Sequence, residues 1–208
     1  MYNVISSFFS NFKYKISLIF LLSFVFFIYE KANSSEEKLK NIILLQNGLV
    51  DISSNQNIDN KYTLELVKNT YNSKKMIRMI IGEKWNKFSD SQKENIHLIF
   101  QEYISLNYSK RFKKIQGPKF KINGSKNIGD KYFYVQTSLL IKDQEKIEIN
   151  YLLNQTAKKE WRIFDVLLAG SISEIATKKS EFSKIIEDKG IDFLIESLKK
   201  KNSELKIH

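Results

Sequence analysis

The sequence predicts an α+β fold with N-terminal helices, a four-stranded antiparallel meander and C-terminal helices. Three observations support this. Apolar residues recur at helical spacing up to residue 115, β-branched and aromatic residues dominate residues 120–168, and helical spacing returns after Gly170. Elements segregated in this order pack as helices against an antiparallel sheet. A chain of 208 residues is long enough for one domain with a sizeable core.

The first segment is predicted to be an export signal occupying residues 1–34. Its apolar run, Ile16–Tyr29, follows Lys13 and Lys15 and is too short to cross a bilayer comfortably. Ala32 and Ser34 suit the positions before a cleavage site. The alternative is an uncleaved anchor, because phenylalanines upstream of the run extend its apolar character. Either interpretation places residues 35–208, predicted as a single domain, outside the cytoplasm.

The helices of the body follow from apolar spacing and from capping residues. Residues 36–50 and 73–81 carry apolar side chains on one face, and the second stretch stops at Gly82. The clearest helix runs from Asp90 to about Lys114. It begins at a capping box formed by Ser89 and Gln92 and ends before the only proline of the chain.

Four strands are predicted, joined by short polar turns that favour antiparallel neighbours. Apolar side chains occur on both faces of the fourth strand, so helices are expected to cover part of each face. A second capping box is predicted at residues 171–174, followed by a helix that ends at Gly190 and a last amphipathic stretch. The predicted strands are Phe120–Asn123, Lys131–Ile141, Lys146–Leu153 and Trp161–Leu168.

Composition excludes several kinds of chemistry. The chain has no cysteine and two histidines, His97 and His208, so thiolate sites and histidine-rich metal sites have no basis. No glycine-rich phosphate loop is present. A small secreted hydrolase would need a nucleophile and a base in one cleft, and His97 is the one internal candidate. We interpret it as a half-buried or exposed surface histidine, and we predict no catalytic residue, metal or cofactor.

Asp165 interrupts an otherwise apolar strand face. A buried carboxylate is costly unless it is hydrogen-bonded. The turn at Ser171–Ser173 offers nearby N–H and O–H donors, so structural bonding is favoured over a ligand contact.

The net charge of +11 has two interpretations. It fits a lysine-rich surface produced by coding bias, and it also fits attraction to an anionic partner. Lysines alternate with glutamates along the chain, and an exported protein does not meet nucleic acid, so no nucleic-acid partner is expected.

Three segments, taken in order, resemble the MlaC, or toluene-tolerance, family of periplasmic phospholipid-binding proteins. They are Trp161–Val166, Gly170–Ser173 and Ser180–Ile186, with Gly190 beyond them. The resemblance spans roughly residues 62–202 and rests on the order and spacing of the segments. Lys179 stands where the family usually has arginine, so a bidentate pairing at that position is in doubt.

The resemblance implies a monomeric, non-enzymatic periplasmic carrier that encloses acyl chains between the sheet and the helices. It also implies that phospholipid passes between an outer-membrane lipoprotein complex and an inner-membrane Mla-type ABC transporter complex. Alternatives are a carrier of another apolar lipid such as a hopanoid, and an adaptor domain with a filled core. The expected lining residues, chosen from the faces they occupy, are Ile77, Ile81, Phe100, Tyr103, Ile104, Ile149, Tyr151, Ile163, Phe182 and Ile186.

Overall fold

The computed structural model describes residues 36–142 and 146–206. The chain divides into one unit of residues 1–39 and a second of residues 40–208. Of the first unit only residues 36–39 are described, and they are helical. The predicted export signal lies outside the described residues. Among the described helices, none has both the length and the apolar character needed to cross a membrane.

Five α-helices and one short 3₁₀ segment occupy the described chain on either side of the sheet in sequence. The predicted capping box is present at α4, where the Ser89 hydroxyl accepts from the Gln92 N–H at 3.1 Å and the Gln92 side chain accepts from the Ser89 N–H at 3.1 Å. The predicted helix end at Gly190 is a kink in α5, where φ is 83° and ψ is 173°. The elements are α1 (residues 36–54), α2 (Asn60–Thr70), α3 (Ser73–Ile81), the 3₁₀ segment (Gly82–Lys87), α4 (Asp90–Phe112) and α5 (Glu174–Lys206).

The sheet is an antiparallel meander in which each strand pairs with its neighbours in sequence. It has five strands rather than the predicted four, because residues 172 and 173 add a short edge strand. The first strand is also longer than predicted, and it contains a register shift between Ile122 and Gly124. The strands are β1 (Lys119–Ile128), β2 (Tyr132–Leu140), β3 (Ile147–Gln155), β4 (Trp161–Leu168) and β5 (Ile172–Ser173).

The predicted capping box at residues 171–174 is wrong. Ile172 and Ser173 pair with β4, so the chain is still extended at the position where the helix was expected to start. Helix α5 therefore begins two residues later than that box requires, and its cap is the Ser173 hydroxyl, which accepts from the Ala176 N–H at 3.0 Å.

The local interpretation of Asp165 is confirmed. Its carboxylate accepts from the Ser173 hydroxyl at 2.6 Å and from the N–H groups of Val166 at 2.8 Å and Ile175 at 3.2 Å. These bonds satisfy a side chain that is only 6% exposed, and they join β4 to the first turn of α5.

Candidate ligand cavity

An apolar cavity of about 580 Å³ lies between the sheet and the helices. Its size falls in the range of small-molecule binding sites. The lining is mainly aliphatic and aromatic and draws on four helices and four strands. The lining residues are Leu49, Tyr71, Met76, Ile80, Phe100, Tyr103, Ile104, Asn107, Tyr108, Arg111, Phe112, Ile115, Phe120, Leu139, Ile141, Ile147, Ile149, Tyr151, Val166, Leu168, Ala169, Glu174, Ile175, Thr177 and Lys178.

Two sequence periodicities create these walls. Helix α4 contributes residues at alternating steps of three and one from Phe100 to Phe112, which is one continuous face of the helix, and Ile115 follows just beyond its end. The sheet contributes every second residue along β3 and β4, and Tyr151 of β3 is paired in register with Val166 of β4. A helical face therefore lies over a sheet face, with space left between them.

The deep end of the cavity is closed by buried side chains. Leu49, Tyr71, Met76, Phe100 and Tyr151 are each no more than 4% exposed. The hydroxyl of Tyr71 is hydrogen-bonded to the hydroxyl of Tyr108. Burial raises the pKa of the Tyr71 and Tyr151 phenols well above the ordinary value, and the neighbouring Tyr108 adds to both shifts. These phenols therefore stay neutral at any physiological pH.

Another part of the lining is exposed to solvent, and the charged lining residues are exposed or partly exposed. Arg111, Ile147, Ala169 and Thr177 are exposed although they border the cavity. Glu174 and Lys178, from the first turns of α5, complete the charged set. We call this part of the lining the mouth and define it by Arg111, Ile147, Ala169, Glu174, Thr177 and Lys178.

A cavity of this size is unfavourable to leave without an apolar ligand. Cavities made by core truncation cost about 24 cal/mol per Å³. That figure applies to closed, dry cavities, whereas this cavity is open to water, so its apolar lining stays wetted until an apolar ligand displaces the water. The interior is consequently suited to being filled by an apolar ligand, and a filled-core adaptor domain would not contain such a space.

Five of the ten residues selected from the sequence border the cavity: Phe100, Tyr103, Ile104, Ile149 and Tyr151. They come from the faces of α4 and β3 that the periodicity identified. Contact of any of them with a lipid stays a prediction.

The other five lie in the packed core and do not border the cavity: Ile77, Ile81, Ile163, Phe182 and Ile186. On α3 the cavity is lined by Met76 and Ile80, one position before the two selected isoleucines. One residue is a rotation of about 100° around a helix, which is enough to aim a side chain at a neighbouring element instead. Phe182 meets Phe100 edge-on with ring centroids 6.4 Å apart, so it supports the lining from behind.

Sequence reasoning also missed lining residues near the ends of the elements. Phe112 and Ile115 continue the α4 stripe, Ile141 follows the end of β2, and Ile147 begins β3. The apolar spacing in the sequence continues as far as Ile115, so this spacing alone predicts that the helical wall of the cavity extends to that residue.

A second, smaller depression of about 290 Å³ contains the one serine–histidine contact of interest in the described chain. The Ser73 hydroxyl lies 3.0 Å from Nε2 of His97, and the Gln101 amide donates to the same hydroxyl at 2.9 Å. Ser73 is 3% exposed, and Nδ1 of His97 lies 3.7 Å from a Glu94 carboxylate oxygen. A buried hydroxyl that already accepts a hydrogen bond is suited to joining α3 to α4 rather than to attacking a substrate.

The fold and the cavity define a class of protein: an α+β ligand-binding domain whose sheet and helices enclose an apolar cavity with a charged mouth. A family model described as MlaC protein matches residues 44–200. This match covers more than half of the chain, and the chain therefore belongs to the MlaC family, as the sequence resemblance indicated.

A solved structure of similar fold is the phospholipid-binding protein from Ralstonia solanacearum in complex with a phospholipid. The two chains superpose with a TM-score of 0.70 at 15% sequence identity, over 81% of this chain and 98% of that chain. The likeness confirms the α+β fold.

Proposed function

We propose that this protein is a phospholipid carrier that holds the acyl chains of its cargo in the cavity between the sheet and the helices. The observation that carries the proposal is the 580 Å³ cavity, whose lining is mainly apolar and also includes the charged side chains of Arg111, Glu174 and Lys178. An amphiphile has the complementary arrangement, with apolar tails and one polar head. Membership of the MlaC family and the phospholipid complex of the R. solanacearum protein support the same conclusion.

The energetics explain why a carrier must enclose the tails. A two-tailed lipid has roughly 30 methylene groups, and exposing each to water costs about 0.8 kcal/mol, or on the order of 25 kcal/mol in all. A carrier in water therefore has to bury the tails and release them only to another apolar site. The closed deep end and the apolar lining of this cavity suit that requirement.

The remaining parts of the proposal concern context. We propose that the protein works in the periplasm, exported by its N-terminal segment, and acts as a monomer without cofactor or catalysis. It would exchange phospholipid with an outer-membrane lipoprotein complex and an inner-membrane Mla-type ABC transporter complex. Family membership supports these assignments.

The test is the composition of lipid that co-purifies with the protein. Residues 35–208 are expressed, purified without detergent and extracted with organic solvent, and the extract is analysed by lipid mass spectrometry. We expect phospholipid in stoichiometric amount. A hopanoid in place of phospholipid would move the assignment to a carrier of another apolar lipid. Folded protein that stays empty after exposure to phospholipid vesicles would refute the carrier function.

A further inference from the structure

The smaller depression of about 290 Å³ lies outside the lipid cavity, and Tyr71 is the residue that borders both spaces. We propose that this depression binds a phosphate group, either free or carried as a phosphomonoester. Two exposed lysines, Lys74 and Lys158, and the free backbone N–H groups at the start of α3 hold the phosphate. This second site goes beyond lipid carriage and does not depend on it.

The depression forms where the junction of α2 and α3 lies against the sheet. Tyr71 makes a parallel bridge with Ile163 of β4, and the Asn72 N–H donates to the Ile163 carbonyl at 2.7 Å. These contacts bring the start of α3 beside the turn between β3 and β4, which carries Lys158. A helix terminus and a strand turn therefore border one space.

The start of α3 contributes unpaired backbone donors. Asn72 caps this helix, and its side chain accepts from the Lys75 N–H at 3.2 Å. The N–H groups of Ser73 and Lys74, which both border the depression, have no hydrogen-bond acceptor among the described residues. The N-terminus of a helix also carries partial positive charge, so free N–H groups at this position suit a phosphate.

Four cationic side chains line the depression, and two of them are already paired. The Lys68 ammonium lies 2.7 Å from a carboxylate oxygen of Glu65. The Arg162 guanidinium lies 2.9 Å from Glu160 and also donates to the Lys68 carbonyl at 2.5 Å. Glu160 is the one carboxylate of the lining, and its pairing with Arg162 reduces its repulsion of an incoming anion.

Lys74 and Lys158 are the two cations left for a ligand. Lys158 is exposed, and no carboxylate of the described residues lies within ion-pair distance of its ammonium. Lys74 is 66% exposed, and its ammonium lies 3.8 Å from a carboxylate oxygen of Glu94, at the limit of an ion pair. A surface contact of that length contributes little to stability, so an anion in the depression can replace it.

The buried polar side chains of the depression do not need a ligand. Ser73 and Gln101 are 3% and 8% exposed, and the Gln101 amide donates to the Ser73 hydroxyl, which also contacts His97. The groups left for a ligand therefore include four donors: two N–H groups and two ammonium groups. A phosphomonoester has three acceptor oxygens and nearly two negative charges near neutral pH, whereas a carboxylate has two oxygens and one charge. The donors match the phosphate better.

The first experiment uses inorganic phosphate. The full chain is purified from the detergent-free soluble fraction in a phosphate-free buffer and titrated with sodium phosphate at constant ionic strength, while its amide NMR signals are recorded. We expect saturable shifts of the Ser73 and Lys74 signals with a Kd on the order of 1 mM. Lys158→Gln should weaken binding about 5-fold, which is the effect of removing one exposed charge contact.

The matched control is Lys131→Gln. Lys131 is also an exposed lysine in a turn between two strands, but it does not border the depression. The substitution removes the same charge from the protein and should leave the Kd for phosphate unchanged. Unshifted amide signals elsewhere in each variant show that it is folded. Sodium succinate at the same ionic strength should shift the Ser73 and Lys74 signals much less than phosphate does.

The second experiment distinguishes a free phosphate from one carried by a lipid. The protein is sedimented with phosphatidylcholine vesicles that contain or lack phosphatidic acid, a phosphomonoester lipid. If a lipid phosphate reaches the depression, sedimentation with the phosphatidic acid vesicles should weaken about 5-fold in Lys158→Gln and stay unchanged in Lys131→Gln. Sedimentation unaffected by Lys158→Gln, together with the shifts produced by inorganic phosphate, assigns the site to free phosphate.

Three results would overturn the proposal. The first is the absence of shifts with inorganic phosphate, combined with sedimentation that Lys158→Gln leaves unchanged. The second is equal weakening by Lys131→Gln and Lys158→Gln, which indicates attraction to the whole basic surface instead of a site. The third is an equal response to succinate, which indicates an anion site without preference for phosphate. Each of these results leaves the carrier function untouched, because lipid loading is measured separately.

Discussion

A charge placed on the cavity wall should abolish lipid binding without unfolding the protein. Ile104 lies in the middle of α4 and borders the cavity, so Ile104→Asp puts a carboxylate where the acyl chains would pack. The empty cavity opens to water at its mouth, and water entering there can hydrate the new carboxylate. A bound lipid would displace that water and leave the charge buried without a partner, which costs several kcal/mol. A cost of about 4 kcal/mol corresponds to a roughly 1,000-fold loss of affinity.

The assay is the molar ratio of co-purified phospholipid to protein, with circular dichroism and denaturant unfolding to show that each variant folds. Leu98→Asp is the matched control, because Leu98 lies on the same helix and is 52% exposed on its solvent side. Ile104→Val, which keeps the wall apolar, should bind lipid normally. A folded Ile104→Asp protein that carries lipid at the wild-type ratio would refute the assignment of this wall to the acyl chains.

Three further outcomes test the hydrogen-bonded parts of the structure. Burial lowers the pKa of His97 in the folded protein below its ordinary value of 6.5. As the pH falls, the His97 side chain therefore becomes protonated in the unfolded chain before it does in the folded protein. The free energy of unfolding should therefore decline from about pH 6.5 down to the lower folded pKa, and His97→Gln should flatten that part of a urea-unfolding series. Asp165→Ala removes the acceptor of the Ser173 hydroxyl and of two N–H groups, and should lower the free energy of unfolding by about 3 kcal/mol in urea melts. Tyr108→Phe leaves the buried Tyr71 hydroxyl unpaired and should lower the free energy of unfolding by about 1–3 kcal/mol. Adding Tyr71→Phe to this variant should restore much of the lost stability. A double variant no more stable than Tyr108→Phe would contradict the pairing of the two hydroxyls.

The elements that the sequence predicts well are those specified by local chemistry. Ser89 and Gln92 cap α4 because their side chains reach backbone N–H groups within four residues, and this geometry needs no tertiary information. Gly190 interrupts α5 because its φ of 83° is open to glycine and strained for other residues. The start of α5 was missed because β4 draws residues 172 and 173 into the sheet, which is a tertiary effect.

The cavity could be predicted only in part, because burial against a neighbour and burial against a cavity require the same apolar side chains. Ile80 and Ile81 are adjacent, and both are no more than 4% exposed, yet only Ile80 borders the cavity. Their chemistry is identical, so composition and periodicity cannot distinguish them. The difference lies in the direction in which each side chain points around α3, and which element lies in that direction depends on how the whole fold packs.

The tyrosines at the deep end show how a cavity can contain polar atoms and still accept acyl chains. The Tyr71 and Tyr108 hydroxyls satisfy each other, so neither needs a partner from the ligand. Their phenols are neutral, because burial raises both pKa values. The Tyr71–Tyr108 pair therefore offers a lipid tail no charge and no unpaired donor, while the exposed side of the lining includes Arg111 and the partly exposed Glu174 and Lys178. This separation favours one orientation of the cargo, tails inward and head outward, since the reverse would bury a charged head among apolar side chains.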